Sequence, residues 1–271
     1  PDGTRLAISI LDATGQQIWV RKLVVPQSTL SKLTFEGVND FPRWNPAGTE
    51  VLFVASFVLA KNLRTVRADG LSSAPAIPPQ GASRNYVGSL SRDGKWLAFE
   101  TFGGRTNTAR DIAAIRVDAD ATRGGADTTV VPLAVSPFSE RNPSISPDGR
   151  WVLFQATTTG TSEVFVRPFP NAATGLYQIS SGGGTSPKWS HDGREIFFAN
   201  GNNDLTSVHV VPGNTFGFAD QRVLFSLRGV NDWDVAPDGR FILIRDRAGK
   251  ERSKLIVVEN FFQELKARVP R

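Results

Sequence analysis

Short apolar runs and tight polar turns alternate along this chain with a long period. Six turns each lead straight into an apolar run: Pro1-Asp2-Gly3, Asn45-Pro46-Ala47-Gly48, Ser91-Arg92-Asp93-Gly94, Ser146-Pro147-Asp148-Gly149, Ser190-His191-Asp192-Gly193 and Ala236-Pro237-Asp238-Gly239. Their glycines, at 3, 48, 94, 149, 193 and 239, lie 45, 46, 55, 44 and 46 residues apart. A period near 45 with several short strands per unit predicts a β-propeller. The expected fold is all-β, with six blades of four antiparallel strands. Proline presets φ, aspartate bonds its own backbone and glycine takes φ > 0, so the turn aspartates read as turn-formers and not as metal ligands or catalytic acids.

The second strands, at 5–10, 51–56, 96–101, 151–156, 195–200 and 241–246, are mostly continuous apolar runs. Burial on both faces follows, as for a sheet sandwiched between two neighbours. Third strands at 17–21, 111–117, 163–167, 205–210 and 254–258 alternate more, which predicts lost burial on one side. Trp44, Leu90, Ile145, Trp189 and Val235, each just before a turn, read as core. The first unit has no opening strand. The last has no fourth strand, and 260–269 reads instead as a short amphipathic C-terminal helix. The expectation is therefore a single propeller domain over 1–271, a piece of a longer protein truncated at its N-terminal side, with the ring closed by an upstream segment.

Composition narrows the chemistry. No cysteine is present, which excludes disulfides, thiolate metal sites and cysteine nucleophiles. The net charge of +5 comes from 31 basic against 26 acidic residues, a mixed surface that does not point to nucleic acid. No apolar stretch approaches the roughly 18 residues of a membrane span, so no membrane insertion by this chain is expected.

The segment 146–271 resembles the C-terminal part of TolB-like six-bladed propellers attached to bacterial serine/threonine protein kinases. The matching pieces are Ser-Pro-Asp-Gly-Arg-Trp-Val-Leu-Phe (146–154), Glu-Val-Phe-Val-Arg-Pro-Phe-Pro (163–170), Tyr-Gln-Ile-Ser-Ser-Gly-Gly-Gly-Thr-Ser-Pro-Lys-Trp-Ser (177–190), His-Asp-Gly-Arg-Glu-Ile-Phe-Phe (191–198) and Leu-Ile-Val-Val-Glu-Asn-Phe-Phe-Gln-Glu-Leu-Lys (255–266). The resemblance implies a sensor or protein-interaction module of a bacterial signalling protein, in a periplasmic or extracytoplasmic position, with a cytoplasmic fusion as the alternative.

Signatures of catalysis are sparse. Gly70-Leu71-Ser72-Ser73-Ala74 fails the nucleophile-elbow pattern at its last position, and no kinase motif is present. The two histidines, His191 in a turn and His209 in a strand, read as surface and half-buried residues. Asp118 and Asp120 begin like a calcium loop, but Arg123 stands where the sharp-turn glycine belongs. The sequence therefore assigns no cofactor, no metal and no enzymatic activity. What remains is the mouth of the central channel, where Asp40, Arg43, Arg141, Asn142, Lys188, Asn231, Asp232 and Asp234 recur at equivalent register with changing identity. Such a rim suits a protein or peptide partner, or a small polar ligand. Two alternatives stay open: a glycosidase- or lactonase-type enzyme with axial carboxylates among Asp40, Asp232 and Asp234, and a periplasmic assembly scaffold of the TolB kind.

Overall fold

A computed structural model describes residues 1–23, 29–57, 60–71, 86–102, 110–117, 129–158 and 160–245. They form six antiparallel sheets in chain order, each a blade. Blade 1 holds β1 (Arg5–Asp12), β2 (Gly15–Lys22) and β3 (Leu30–Lys32), and blade 2 holds β4 (Val38–Trp44), β5 (Glu50–Phe57) and β6 (Ala60–Arg67). Blade 3 holds β7 (Tyr86–Leu90), β8 (Trp96–Phe102), β9 (Arg110–Arg116) and β10 (Val131–Ala134). Blade 4 holds β11 (Glu140–Ile145), β12 (Trp151–Thr157), β13 (Ser162–Pro168) and β14 (Tyr177–Gln178). Blade 5 holds β15 (Gly184–Trp189), β16 (Glu195–Asn200), β17 (Asp204–Val211) and β18 (Gly217–Ser226), and blade 6 holds β19 (Val230–Val235) and β20 (Phe241–Arg245). The expected third strand at 254–258 and the C-terminal helix lie outside the described residues.

The turns are built by local chemistry. In the fourth, the Asp148 carboxylate accepts from the Ser146 hydroxyl at 2.5 Å and from the Arg150 amide at 3.1 Å, and Gly149 takes φ 71°. Where Ala47 lacks a carboxylate, Asn45 substitutes: its Oδ1 accepts from the Thr49 and Glu50 amides at 2.9 and 3.1 Å. In two sister turns the same bonds favour the charged carboxylate. The Ser91 hydroxyl lowers the pKa of Asp93, and the Arg194 amide lowers that of Asp192.

The turns also touch one another around the ring. A Cβ built on Gly48 would lie 3.7 Å from the Pro1 ring, one on Gly94 3.9 Å from Pro46, and one on Gly193 3.4 Å from Pro147. Gly3 meets Pro237 in the same way at 3.3 Å, bringing the first blade against the sixth. Gly149 and Gly239, which follow the turns carrying Arg92 and His191 in place of proline, meet nothing within 4 Å among the described residues.

Apolar burial lies between blades. In β12, Val152 and Phe154 pack against Ala98, Ile112 and Leu133 of blade 3, while Leu153 packs against Ile196 and Phe198 of blade 5. Equivalent clusters fill the seams between blades 1 and 2, 2 and 3, and 5 and 6. At the seam between blades 6 and 1 no such buried cluster forms among the described residues. Accordingly β1 and β20 alternate between buried and half-buried positions, where β12 and β16 are buried on both faces.

One expectation is corrected here. The third strands β9, β13 and β17 are buried without alternation through their middle and open only at their last residues, whereas the fourth strand β18 is exposed or half-buried throughout; β2 alternates as expected from Ile18 to Arg21. The polar residues that suggested alternation are buried strand-start anchors. Gln17 Oε1 accepts from the Thr34 hydroxyl at 2.7 Å, and Glu163 accepts from the Ser180 hydroxyl and from the Gly183 amide at 2.8 Å. Asp111 accepts from the Ser136 backbone. Each of these ties down the crossover into the next blade's inner strand.

Candidate functional site

Those inner strands are not regular. The register shifts between Asp40 and Arg43 in β4, Val87 and Ser89 in β7, Arg141 and Ser144 in β11, Thr185 and Lys188 in β15, and Val230 and Asp232 in β19. In three of these bulges a non-glycine residue takes the left-handed conformation: Phe41 at φ 56°, Asn142 at 53° and Ser186 at 52°. Proline follows each time, as Pro42, Pro143 and Pro187. Proline has no N–H to lose from the ladder, so it is tolerated at a bulge. Blade 3 places Gly88 there, and a Cβ on it would lie 2.5 Å from both Cγ and O of Pro143.

The bulges are held across blades by polar side chains inside otherwise apolar second strands. Glu100, 5% exposed, accepts the Asn142 amide on Oε1 and Arg110 Nη1 on Oε2, both at 2.8 Å. One blade on, Gln155 Oε1 accepts the Ser186 amide at 2.7 Å and Asn142 Nδ2 at 2.9 Å. Both acceptors stand six residues after a turn glycine.

Together these strands enclose a cleft of about 170 Å³ at the hub, lined by Phe41 and Arg43 of blade 2, Tyr86, Glu100 and Arg110 of blade 3, Arg141, Asn142 and Gln155 of blade 4, and Thr185 and Ser186 of blade 5. The three left-handed non-glycine residues of the inner-strand bulges are on its wall, whereas Asp220, left-handed at the bulge of the outer strand β18, is not. Three arginines against one glutamate leave the lining at +2 (3 − 1). The Arg110 guanidinium stacks 4.4 Å from the Tyr86 ring, which meets Phe41 edge-on at 5.3 Å. Arg43 donates to two backbone carbonyls, Gly88 O at 2.9 Å and Pro42 O at 3.0 Å. Arg141 is exposed, and its side chain makes no hydrogen bond or ion pair with the described residues.

Of the residues expected at the rim, Arg43, Arg141 and Asn142 meet in this cleft. The other five do not line it. Asp40 caps the Phe41 amide at 2.8 Å, Asp232 the Trp233 amide at 2.8 Å and Asp234 the Val235 amide at 2.9 Å. Lys188 lies 3.6 Å from Asp234 and 5.2 Å from the centre of the Trp233 ring. Asn231 is exposed in the β19 bulge. Sequence reasoning missed Phe41, Tyr86, Glu100, Arg110, Gln155 and Ser186. One signal was available: a charged or amide residue closing the apolar second strand, six positions after the glycine, in two adjacent repeats.

Beside the cleft, Glu140 opens β11 immediately before Arg141. It is 3% exposed; its Oε1 accepts from the Ser136 hydroxyl and its Oε2 has no partner among the described residues. Burial raises its pKa, and the charge of Asp111 adds to the rise. Burial raises Asp111 as well. Among the described residues no three His, Cys, Asp or Glu side chains gather as a metal site. The loop of Asp118 and Asp120 lies outside the described residues.

No protein-family model matches the chain, and no curated protein matches it. Solved structures do, at the level of fold. TolB from Acinetobacter baumannii is 15% identical with a TM-score of 0.62, over 90% of this chain and 62% of its own length. An oligogalacturonate lyase in complex with manganese is 14% identical with a TM-score of 0.61, over 92% of this chain and 69% of that one. A periplasmic gluconolactonase from Pseudomonas aeruginosa is 18% identical with a TM-score of 0.57, over 91% and 76%. The chain thus spans about three fifths of the Acinetobacter TolB and has a TolB-like propeller fold. The expectation of a chain without enzymatic activity is corrected by these neighbours, because the fold carries a lyase and a lactonase as well as TolB. A hub site draws its side chains from separate blades, so it leaves no contiguous motif, and a missing motif excludes no activity.

Proposed function

We propose that this propeller is a recognition module, a sensor or protein-interaction domain that receives its ligand at the mouth of the hub cleft. The observation that carries the reading is the convergence of four blades on one cationic cleft whose wall includes the three left-handed non-glycine residues of the inner-strand bulges. A left-handed non-glycine residue costs about 1–2 kcal/mol, and such strain clusters at functional sites. A water-filled channel requires none of it. The resemblance of 146–271 to kinase-attached propellers supports a sensory place in a bacterial signalling protein, with 1–271 folding as one domain and exposed on the extracytoplasmic side. Among the described residues no helix is long and apolar enough to cross a membrane.

Photocrosslinking tests the reading. A photoreactive residue at Thr185, on the cleft wall, should yield adducts in cells. One at Asp148, in a turn at the opposite end of the inner strands, should not. Adducts from Asp148 and none from Thr185 would refute it. Catalysis on an anionic substrate is the second reading, favoured by Glu100, the one carboxylate on the cleft wall. Turnover of 6-phosphogluconolactone, an anionic lactone, that disappears in Glu100→Gln would establish it.

A further inference from the structure

We infer that the hub cleft captures a single carboxylate, the acidic side chain of a partner protein segment whose neighbouring residues are apolar; the inference rests on the cleft being the recognition site. Size comes first. Pockets for whole small ligands run to about 300–1,000 Å³, and this cleft, at about 170 Å³, has room for one protruding group. Charge comes second. Glu100 is engaged by Arg110 and the Asn142 amide, whereas Arg141 has no partner among the described residues and Arg43 is bonded only to backbone carbonyls. Two guanidiniums thus reach the cleft without a carboxylate of their own, and a planar fork of N–H donors matches a carboxylate's two oxygens.

The surroundings decide what carries that carboxylate. Phe35 (64% exposed) and Val38 (46%) lead into β4, and Val135 (51%) and Phe138 (43%) lead into β11. Val38 precedes Phe41 of the cleft wall by three residues and Phe138 precedes Arg141 by three, on the side of these strands away from the corner turns. A hydroxyl-rich sugar acid would find no polar partners on them, whereas a peptide with apolar residues on either side of its acid buries them. Arginine and aromatic anchors inside an apolar surround are the usual make-up of a protein-binding hot spot.

The test uses fluorescein-labelled, C-terminally amidated peptide pools carrying one central Glu between random apolar residues, with matched pools carrying Gln, read by fluorescence anisotropy. The Glu pool should bind about tenfold or more tightly than the Gln pool, as expected for a charge-assisted pair. Its affinity should fall with added salt. Arg141→Gln should bring the Glu pool to the level of the Gln pool with an unchanged unfolding midpoint, since this side chain is exposed and unbonded; Arg141→Lys should retain part of the preference. Equal binding of the two pools overturns the inference, as does wild-type binding by Arg141→Gln or tighter binding of trigalacturonate than of the Glu pool. Persistent Thr185 crosslinks alongside equal pools would sink the carboxylate and leave the cleft standing. Absent Thr185 crosslinks would remove the cleft itself.

Discussion

Glu100 joins two blades and one wall of the cleft through two bonds, and its replacement has a calculable cost. In Glu100→Ala both bonds at 2.8 Å vanish: the Asn142 amide loses its acceptor and Arg110 its carboxylate. Hydrogen bonds to charged groups contribute about 1.5–3 kcal/mol each, and breaking a buried ion pair costs about 3–5 kcal/mol. Arg110 keeps the Tyr86 ring, and Asn142 is exposed enough for water to reach it, so the lower end applies: about 3 kcal/mol. Glu100→Gln keeps an oxygen for the Asn142 amide but turns its NH2 toward Arg110, opposing two donors. That loss is about 1.5–2 kcal/mol. Equilibrium urea unfolding followed by tryptophan fluorescence reads both, as shifts in midpoint at constant slope. A cycle with Arg110→Ala isolates the pair itself. If both variants fall within about 0.5 kcal/mol of wild type, neither bond holds the blades together in water and the bulge is shaped by Pro143 alone.

Glu140→Gln should stabilise the protein at neutral pH. The folded carboxyl holds its proton to higher pH than the unfolded one because of burial and then the charge of Asp111, so native stability falls as pH rises from the unfolded value of 4.5 through the raised folded value. Urea midpoints measured from acid to neutral pH should show that fall in wild type and a flatter profile in the variant; parallel profiles would contradict it. Gly88→Ala should cost about 1–3 kcal/mol or more by overpacking, since the added methyl meets the rigid Pro143 ring and two backbone oxygens, and a thermal melt suffices to check it. Arg92→Pro should raise stability by about 0.4–1 kcal/mol through a stiffer unfolded chain, and place a ring beside the unoccupied flank of Gly149. A drop in the melting temperature of Arg92→Pro would show that this turn's backbone differs from its proline-bearing sisters.

The turns and second strands were legible because their chemistry is local: Ser146, Asp148 and Gly149 complete one another within four residues. The third strands were misread because Asp111 and Glu163 look solvent-facing in a linear pattern. In the fold they are buried and spend their oxygens on the next crossover. At the hub, register identified the positions but not their direction. Arg43 and Arg141 reach the cleft, whereas Asp232 and Asp234 fold back on their own backbone at a bulge that no spacing announces. Glu100 stayed hidden because one of its partners, the Asn142 amide, lies in another repeat, and Arg110 stayed hidden with it because it is held there by Glu100.

The walls of the cleft are supplied blade by blade, most wall residues standing seven or eight positions before, or six after, their own repeat's corner glycine. Recognition chemistry is therefore uncoupled from the architecture that displays it. A substitution at position 141 or 185 rewrites one side of the cavity while the proline-on-glycine contacts and the inter-blade packing stay as they are. A lineage of such proteins can drift from one ligand to another through isolated exchanges at the hub, keeping the same scaffold throughout.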